Sequence, residues 1–389
     1  RRQRQMCIRD RVIVGNEPAL ARAKQTLDSL YSYYSIPGTQ LLRENYPSNI
    51  AEYTATYLAS EEQKNMPNQY SYLWPYSGTF SAVNALFEAT QDTIYQSLLN
   101  KKVLVGLEEY FDTRRVPEAY ASYINTAPQS DRFYDDNIWL GIDFTDTYLI
   151  TKENKYLQKA ELIWKFIESG TDNKLGGGIY WCEQKKASKN TCSNAPGSVF
   201  ALKLFQATQN KTYLNKGEQL YNWTKAQLQD STDYLYFDNI ALDGKIGKAK
   251  FAYNSGQMMQ SAALLYRITG EKKYLQDAQR LAAACYNRFF SHDLQSGRKY
   301  KVLNRGDVWF TAIMFRGFVE LYGIDRNSLY IDAFRENLDF AWTVMREKNG
   351  LFNDDWSGKT KNDSKWLLTQ FAMVEMYARL ASIDKENNR

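Results

Sequence analysis

One histidine, His292, occurs in the 389 residues of the chain. That scarcity excludes multi-histidine metal centres and leaves almost no material for a Ser-His-Asp arrangement. His292 follows Arg-Phe-Phe-Ser at a helix end, which suits a surface or capping role. Cysteine is scarce too, with Cys7, Cys182, Cys192 and Cys285. Cys182 and Cys192 bracket a polar loop, a spacing open equally to a disulfide in an oxidising compartment and to two free thiols. No apolar run approaches the roughly 18 residues that a membrane-spanning helix needs. Strand-like stretches are few. GGGIYW at 176–181 and DYLYFDNIAL at 233–242 lie between helical patterns and read as small hairpins or loops. Positive charge is concentrated at one end: the first eleven residues, RRQRQMCIRDR, hold five arginines and one aspartate, so the net +5 falls to +1 without them. Those eleven residues lack a helical apolar period and read as a non-native adapter segment. The competing reading, a nucleic-acid-binding arm, finds no basic patch elsewhere to support it. Residues 12–389 are expected to form one domain.

What the chain has in quantity is a repeat. An anchor tyrosine recurs at Tyr95, Tyr156, Tyr213, Tyr274 and Tyr330, at gaps of 61, 57, 61 and 56 residues. Around it LFEATQDTIY (86–95) nearly repeats as LFQATQNKTY (204–213) and LYRITGEKKY (265–274). Each copy closes one helical pattern, crosses a short polar turn and opens another. Apolar periodicity predicts twelve helices, at 19–36, 77–90, 93–112, 136–151, 154–169, 195–208, 211–228, 255–269, 272–290, 308–324, 328–347 and 364–382. Short turns and long loops alternate, so the helices pair as antiparallel hairpins and all long loops emerge on one side. Six hairpins of near-constant length predict a closed, all-α (α/α)₆ barrel with the even-numbered helices inside. An open solenoid would need a polar capping helix, and the last helix is too apolar for one.

In this geometry the N-termini of the inner helices point into one cleft. The residues there are Trp74 and Tyr76; Asp135, Asp136 and Asn137; Asn190 and Asn194; Tyr253, Asn254 and Gln257; Asp307 and Trp309; and Asp355, Trp356 and Trp366. Carboxylates and amides can grip vicinal hydroxyls in pairs, and indoles offer flat apolar faces to pyranose rings. The 15% aromatic content suits such a groove as well as a core. Asp135 and Asp136 carry the chemistry in this reading. Hydrolysis of a glycoside with retention needs two carboxyl groups about 5–5.5 Å apart. Neighbouring Cα atoms about 3.8 Å apart allow that spacing and hardly the wider one used for inversion. An aspartate pair is also a common helix cap, and Asp354-Asp355 is read that way first. Asp143 and Asp146 are read as satisfying core polar groups. After Asp136 come Asn-Ile-Trp, so no third acid completes a metal site; neither metal nor cofactor is expected.

LWPYSG (73–78), YDDNIW (134–139), GGGIYW (176–181), SKNTCSNAPG (188–197) and AYNSGQMMQSAALLYRITG (252–270) occur in this order, and from about Tyr72 to Leu380 the chain resembles glycoside hydrolase family 76, the α-1,6-mannanases. The resemblance implies an (α/α)₆ barrel and endo-acting, retaining cleavage of α-1,6-mannan, with Asp135 as nucleophile and Asp136 as acid/base. It implies subsite contacts from Tyr253-Asn254 and from Asn190 to Asn194. One departure is Asn-Ser-Gly at 254–256, where the family pattern reads Asn-Gln-Gly, which puts the aglycone-side contacts in question. Further expectations are a mannan polysaccharide or oligosaccharide partner, no nucleic acid, a monomer, and an extracytoplasmic setting, with no export signal in these residues. An exo-acting or transglycosylating enzyme and a non-catalytic glycan-binding toroid stay open as alternatives.

Overall fold

A computed structural model describes residues 18–48, 53–64, 68–293 and 295–388. Residues 1–11, and with them Cys7, lie outside the described residues. In chain order the helices are α1 (Ala19–Tyr34), the short α2 (Glu61–Lys64), α3 (Leu73–Thr90), α4 (Thr93–Leu98) and α5 (Leu104–Glu108), the last two joined by a π turn, Leu99–Val103. They continue as α6 (Tyr134–Thr151), α7 (Asn154–Ser169), α8 (Thr191–Thr208), α9 (Lys211–Leu228), α10 (Ala252–Thr269), α11 (Lys272–Phe289), α12 (Val308–Asp325), α13 (Leu329–Phe340, running on into a π turn) and α14 (Leu367–Asn387).

Six of these, α3, α6, α8, α10, α12 and α14, pack each against the next, and α14 packs back on α3. They are buried nearly all round, as helices inside a ring must be, whereas α1, α7, α9 and α11 bury one face only. The first helix, α1, docks on α14 and closes the outer ring. The fold is the (α/α)₆ toroid.

The repeat has a physical basis at both ends of its turn. Thr90, Thr151, Thr208 and Thr269 each donate a hydroxyl hydrogen bond to the carbonyl four residues back and accept the N–H two residues on. Between them sits a residue in the left-handed region: Gln91, Lys152, Gln209 or Gly270. Three of the recurring tyrosines then latch their hairpin to the one before. Tyr156 donates to Asn100 at 2.8 Å, Tyr213 to Glu161 at 2.9 Å and Tyr274 to Glu218 at 2.6 Å.

Four inner helices begin two to four residues earlier than their apolar periods do, at Leu73, Tyr134, Thr191 and Ala252. Their first turns hold the polar and aromatic residues of the cleft, so periodicity has nothing to register there. Five inner helices are 18 residues long and the sixth 21, which brings their N-termini together at one end. The α10–α12 crossing is the tightest. A Cβ on Gly256 would lie 2.4 Å from the Met314 backbone, and one on Gly317 would lie 2.4 Å from the Gly256 carbonyl. Below the cleft, Arg316 is buried against Glu375, which also binds Arg379 at 2.9 Å; Asp143 accepts from Ser81, and Asp146 pairs with Lys203.

Candidate active site

A cleft of about 580 Å³ opens at the N-terminal end of the inner ring. Its floor holds Asp135 and Asp136 in the first turn of α6, where the helix dipole favours an anion. Their surroundings differ. Asp135 Oδ1 accepts the Asp136 N–H at 3.0 Å, Oδ2 faces the Cys192 Sγ at 3.3 Å, and the Trp181 side chain adds a further donor. Burial still pushes its carboxyl above the usual range. Asp136 is only 8% exposed and, among the described residues, its carboxyl receives no hydrogen bond. Burial first, and the Asp135 charge second, hold it well above the ordinary carboxylate range. Of the two, Asp135 is therefore the anion and Asp136 keeps the proton.

Aromatic rings form the walls. Trp309 stands edge-on to Trp74 at 5.4 Å and to Trp139 at 5.0 Å. Tyr253 and Phe310 stack at 3.9 Å and 3°, and Trp181 leans on Phe133 opposite. Asn190 lines the same space. So does Asp238, whose carboxylate accepts from Asn239 at 2.9 Å and Asn254 at 3.2 Å while burial raises its pKa.

Of the residues anticipated from sequence, Asp135, Asp136, Trp74, Asn190, Tyr253 and Trp309 meet in the cleft. The others do not, for identifiable reasons. Asn137 and Asn194, each the fourth residue of its helix, use their amides to clip the main chain of a loop. Asn137 bonds the N–H and carbonyl of Tyr120, and Asn194 those of Ile179. Gln370 does the same to Phe352, and Ser255 accepts the Tyr236 N–H. The departure from the Asn-Gln-Gly pattern is thus Ser255, a buried residue that holds the Tyr236 main chain. Tyr76 is core, donating to the Val103 carbonyl. Asn254 lies behind the cleft, where it orients Asp238, and Gln257 is buried below, bonded to Gln260. Asp307 caps α12 through the Trp309 N–H, Asp355 ties a turn to Ser357 and Thr360, and Trp356 is only 1% exposed. Trp366 stands edge-on behind Trp74 and lines a neighbouring cavity with Asp307. Cys182 and Cys192 are free thiols.

Tyr57, Trp139, Trp181, Asp238, Asn239 and Phe310 line the cleft without having been anticipated. Trp139 and Phe310 sit in helix starts already singled out, one or two residues from those chosen. Asp238 and Asn239 had a weaker signal. They end the strand-like DYLYFDN run, and antiparallel pairing of Asn239–Ala241 with Ser188–Asn190 sets Asn239 opposite Asn190. Among the described residues no group of His, Cys, Asp and Glu could hold a metal ion, and no helix is long and apolar enough to cross a membrane.

If the clips hold the rim, Asn194→Ala should orphan the buried N–H and carbonyl of Ile179, two residues before Trp181. A loss of about 2 kcal/mol is expected in urea unfolding, and wild-type stability would refute the role.

The fold has close counterparts. A family 76 mannosidase from Bacteroides thetaiotaomicron VPI-5482 is 34% identical, with 95% of this chain and 99% of that one covered and a TM-score of 0.86. An inactive variant of the α-1,6-mannanase of Salegentibacter sp. HEL1_6, with two consecutive aspartates replaced by alanine and in complex with α-1,6-mannotetrose, is 25% identical over 94% and 99% of the two chains, with a TM-score of 0.76. Saccharomyces cerevisiae mannan endo-1,6-α-mannosidase is 28% identical over 30% of this chain and 28% of its own. The chain spans about half or less of the length of the curated relatives it matches. With the glycosyl hydrolase family 76 model matching residues 44–388, the chain belongs to that family of glycoside hydrolases.

Proposed function

We propose that the protein is a retaining endo-α-1,6-mannanase, on the strength of one observation: two adjacent carboxyl groups share the cleft floor in unlike environments. An Asp135 oxygen bonds to the anomeric carbon as the bond from that carbon to the bridging oxygen breaks. The bridging oxygen keeps the electron pair and takes the proton from Asp136. Asp136, now a carboxylate, removes a proton from water. The water oxygen attacks the anomeric carbon, Asp135 leaves as its carboxylate, and Asp136 is protonated again. The indoles and stacked rings offer faces for successive sugars, and Asp238 with Asn190 and Asn239 offers paired acceptors and donors for hydroxyls. A polymeric substrate that cannot cross a bilayer places the enzyme outside the cytoplasm, acting as one monomeric domain.

The test is digestion of linear α-1,6-mannan followed by NMR of the first product. The α anomer is expected, as part of a ladder of oligosaccharides. The β anomer would overturn retention, and mannose alone would overturn endo action. The rate should follow a bell in pH. Asp135 must lose its proton on the acid side and Asp136 must keep its own on the alkaline side. Both limbs lie above those of exposed carboxyl groups, because burial raises both pKa values. An acid limb at the position of a free aspartate would contradict the burial.

A further inference from the structure

Cys192 is a buried thiol that the steps above do not use. It is the second residue of α8, and its Sγ lies 3.3 Å from Asp135 Oδ2 while the Asp136 N–H holds Oδ1 at 3.0 Å. Donors from two different helices thus meet the two oxygens of one carboxylate and fix its rotation. The thiol is itself held, since the Tyr253 side chain hydrogen-bonds to it from α10.

A thiol is a weak donor. A hydroxyl in its place would stabilise the anion more and lower its basicity. We propose that Cys192 is a positioning residue, aiming the Asp135 carboxylate through a weak S–H···O bond that leaves its attacking oxygen basic. The proposal rests on the reading of Asp135 as nucleophile. Cys192 keeps its proton throughout, because burial raises its pKa and the charges of Asp135 and Asp238 raise it further. The groups facing Asp135 are Asp136 on its own helix, Trp181 and Cys182 from the preceding loop, and Cys192 on α8; Asp238 and Tyr253 approach from the α10 side. Among these only Cys192 and Trp181 bring a side-chain donor to Asp135.

The experiment compares full-length Cys192→Ala and Cys192→Ser with the native chain on linear α-1,6-mannan across pH. In Cys192→Ala, kcat should fall about tenfold, the worth of one modest hydrogen bond, with KM unchanged. Its acid limb should move to higher pH, because the anion has lost a donor. In Cys192→Ser the limb should move to lower pH, because the donor is stronger. In the native chain the infrared S–H band of Cys192 should fall in frequency as Asp135 ionises, while the band of buried Cys285 stays fixed. If the alanine variant does not fold, the serine variant and the S–H band carry the test. Unmoved acid limbs in both variants beside a dead Asp135→Asn would overturn the positioning role alone. An active Asp135→Asn would overturn the choice of nucleophile and the positioning role with it.

Discussion

Asp135→Ala is expected to turn over linear α-1,6-mannan about six orders of magnitude more slowly than the native chain, as deletion of the nucleophile does in another covalent mechanism. Asp136→Ala should lose about 10²–10⁴-fold, the usual worth of a general acid. The two losses differ in kind, and azide separates them. Without Asp135, azide can enter only from the face the nucleophile occupied, and the product is a β-mannosyl azide. Without Asp136, an aryl mannoside whose leaving group needs no proton still forms the glycosyl-enzyme. Azide then attacks that intermediate from the opposite face and gives the α product. Exchanged products would reverse the two roles; unchanged turnover in either variant would remove that residue from the chemistry. A stability change of opposite sign should accompany the loss. The raised pKa of Asp136 means that its ionisation is disfavoured in the folded chain, so its contribution is full at low pH and is lost as pH rises through the folded value. Asp136→Asn should therefore melt above the native protein at neutral pH and converge with it below the ordinary carboxylate range.

The second large effect lies under the floor. Arg316 and Glu375 are 4% and 1% exposed, and the Arg316 guanidinium stands 5.9 Å from the Trp139 ring that lines the cleft. Glu375→Ala leaves Arg316 and the neighbouring Arg379 without their shared partner, and should cost about 3–5 kcal/mol. That corresponds to a fall in Tm on the order of 10 °C. The double substitution Arg316→Met with Glu375→Leu removes that pair together, leaves only Arg379 without its partner, and should lose less than the single one. A double variant weaker than Glu375→Ala would show that the pair contributes more than its burial costs.

The ring was legible because its signals are local and repeated: the short turns that follow a threonine, the recurring tyrosines and the apolar periods. The place of the aspartate pair, in the first turn of an inner helix, was legible from the repeat, whereas two adjacent acids by themselves read first as a helix cap. Asn137 and Asn194 were misread because an amide at a helix start looks the same in sequence whether it meets a sugar or a main chain. Only the partner loop decides, and the partner loop is brought there by the fold. Asp238 was missed for the same reason, since the strand that follows it, Asn239–Ala241, is brought to the cleft by pairing with Ser188–Asn190. Cys192 was weighed for a disulfide, yet its actual neighbour, Asp135, is 57 residues away.

The amide clips carry a consequence for how such a protein can change. Asn137, Asn194 and Gln370 grip N–H and carbonyl groups of Tyr120, Ile179 and Phe352, groups that every residue but proline possesses. A loop held that way keeps its place whatever side chains it bears. The ring can therefore stay constant while the sugars its rim will accept drift by point substitution, one loop at a time.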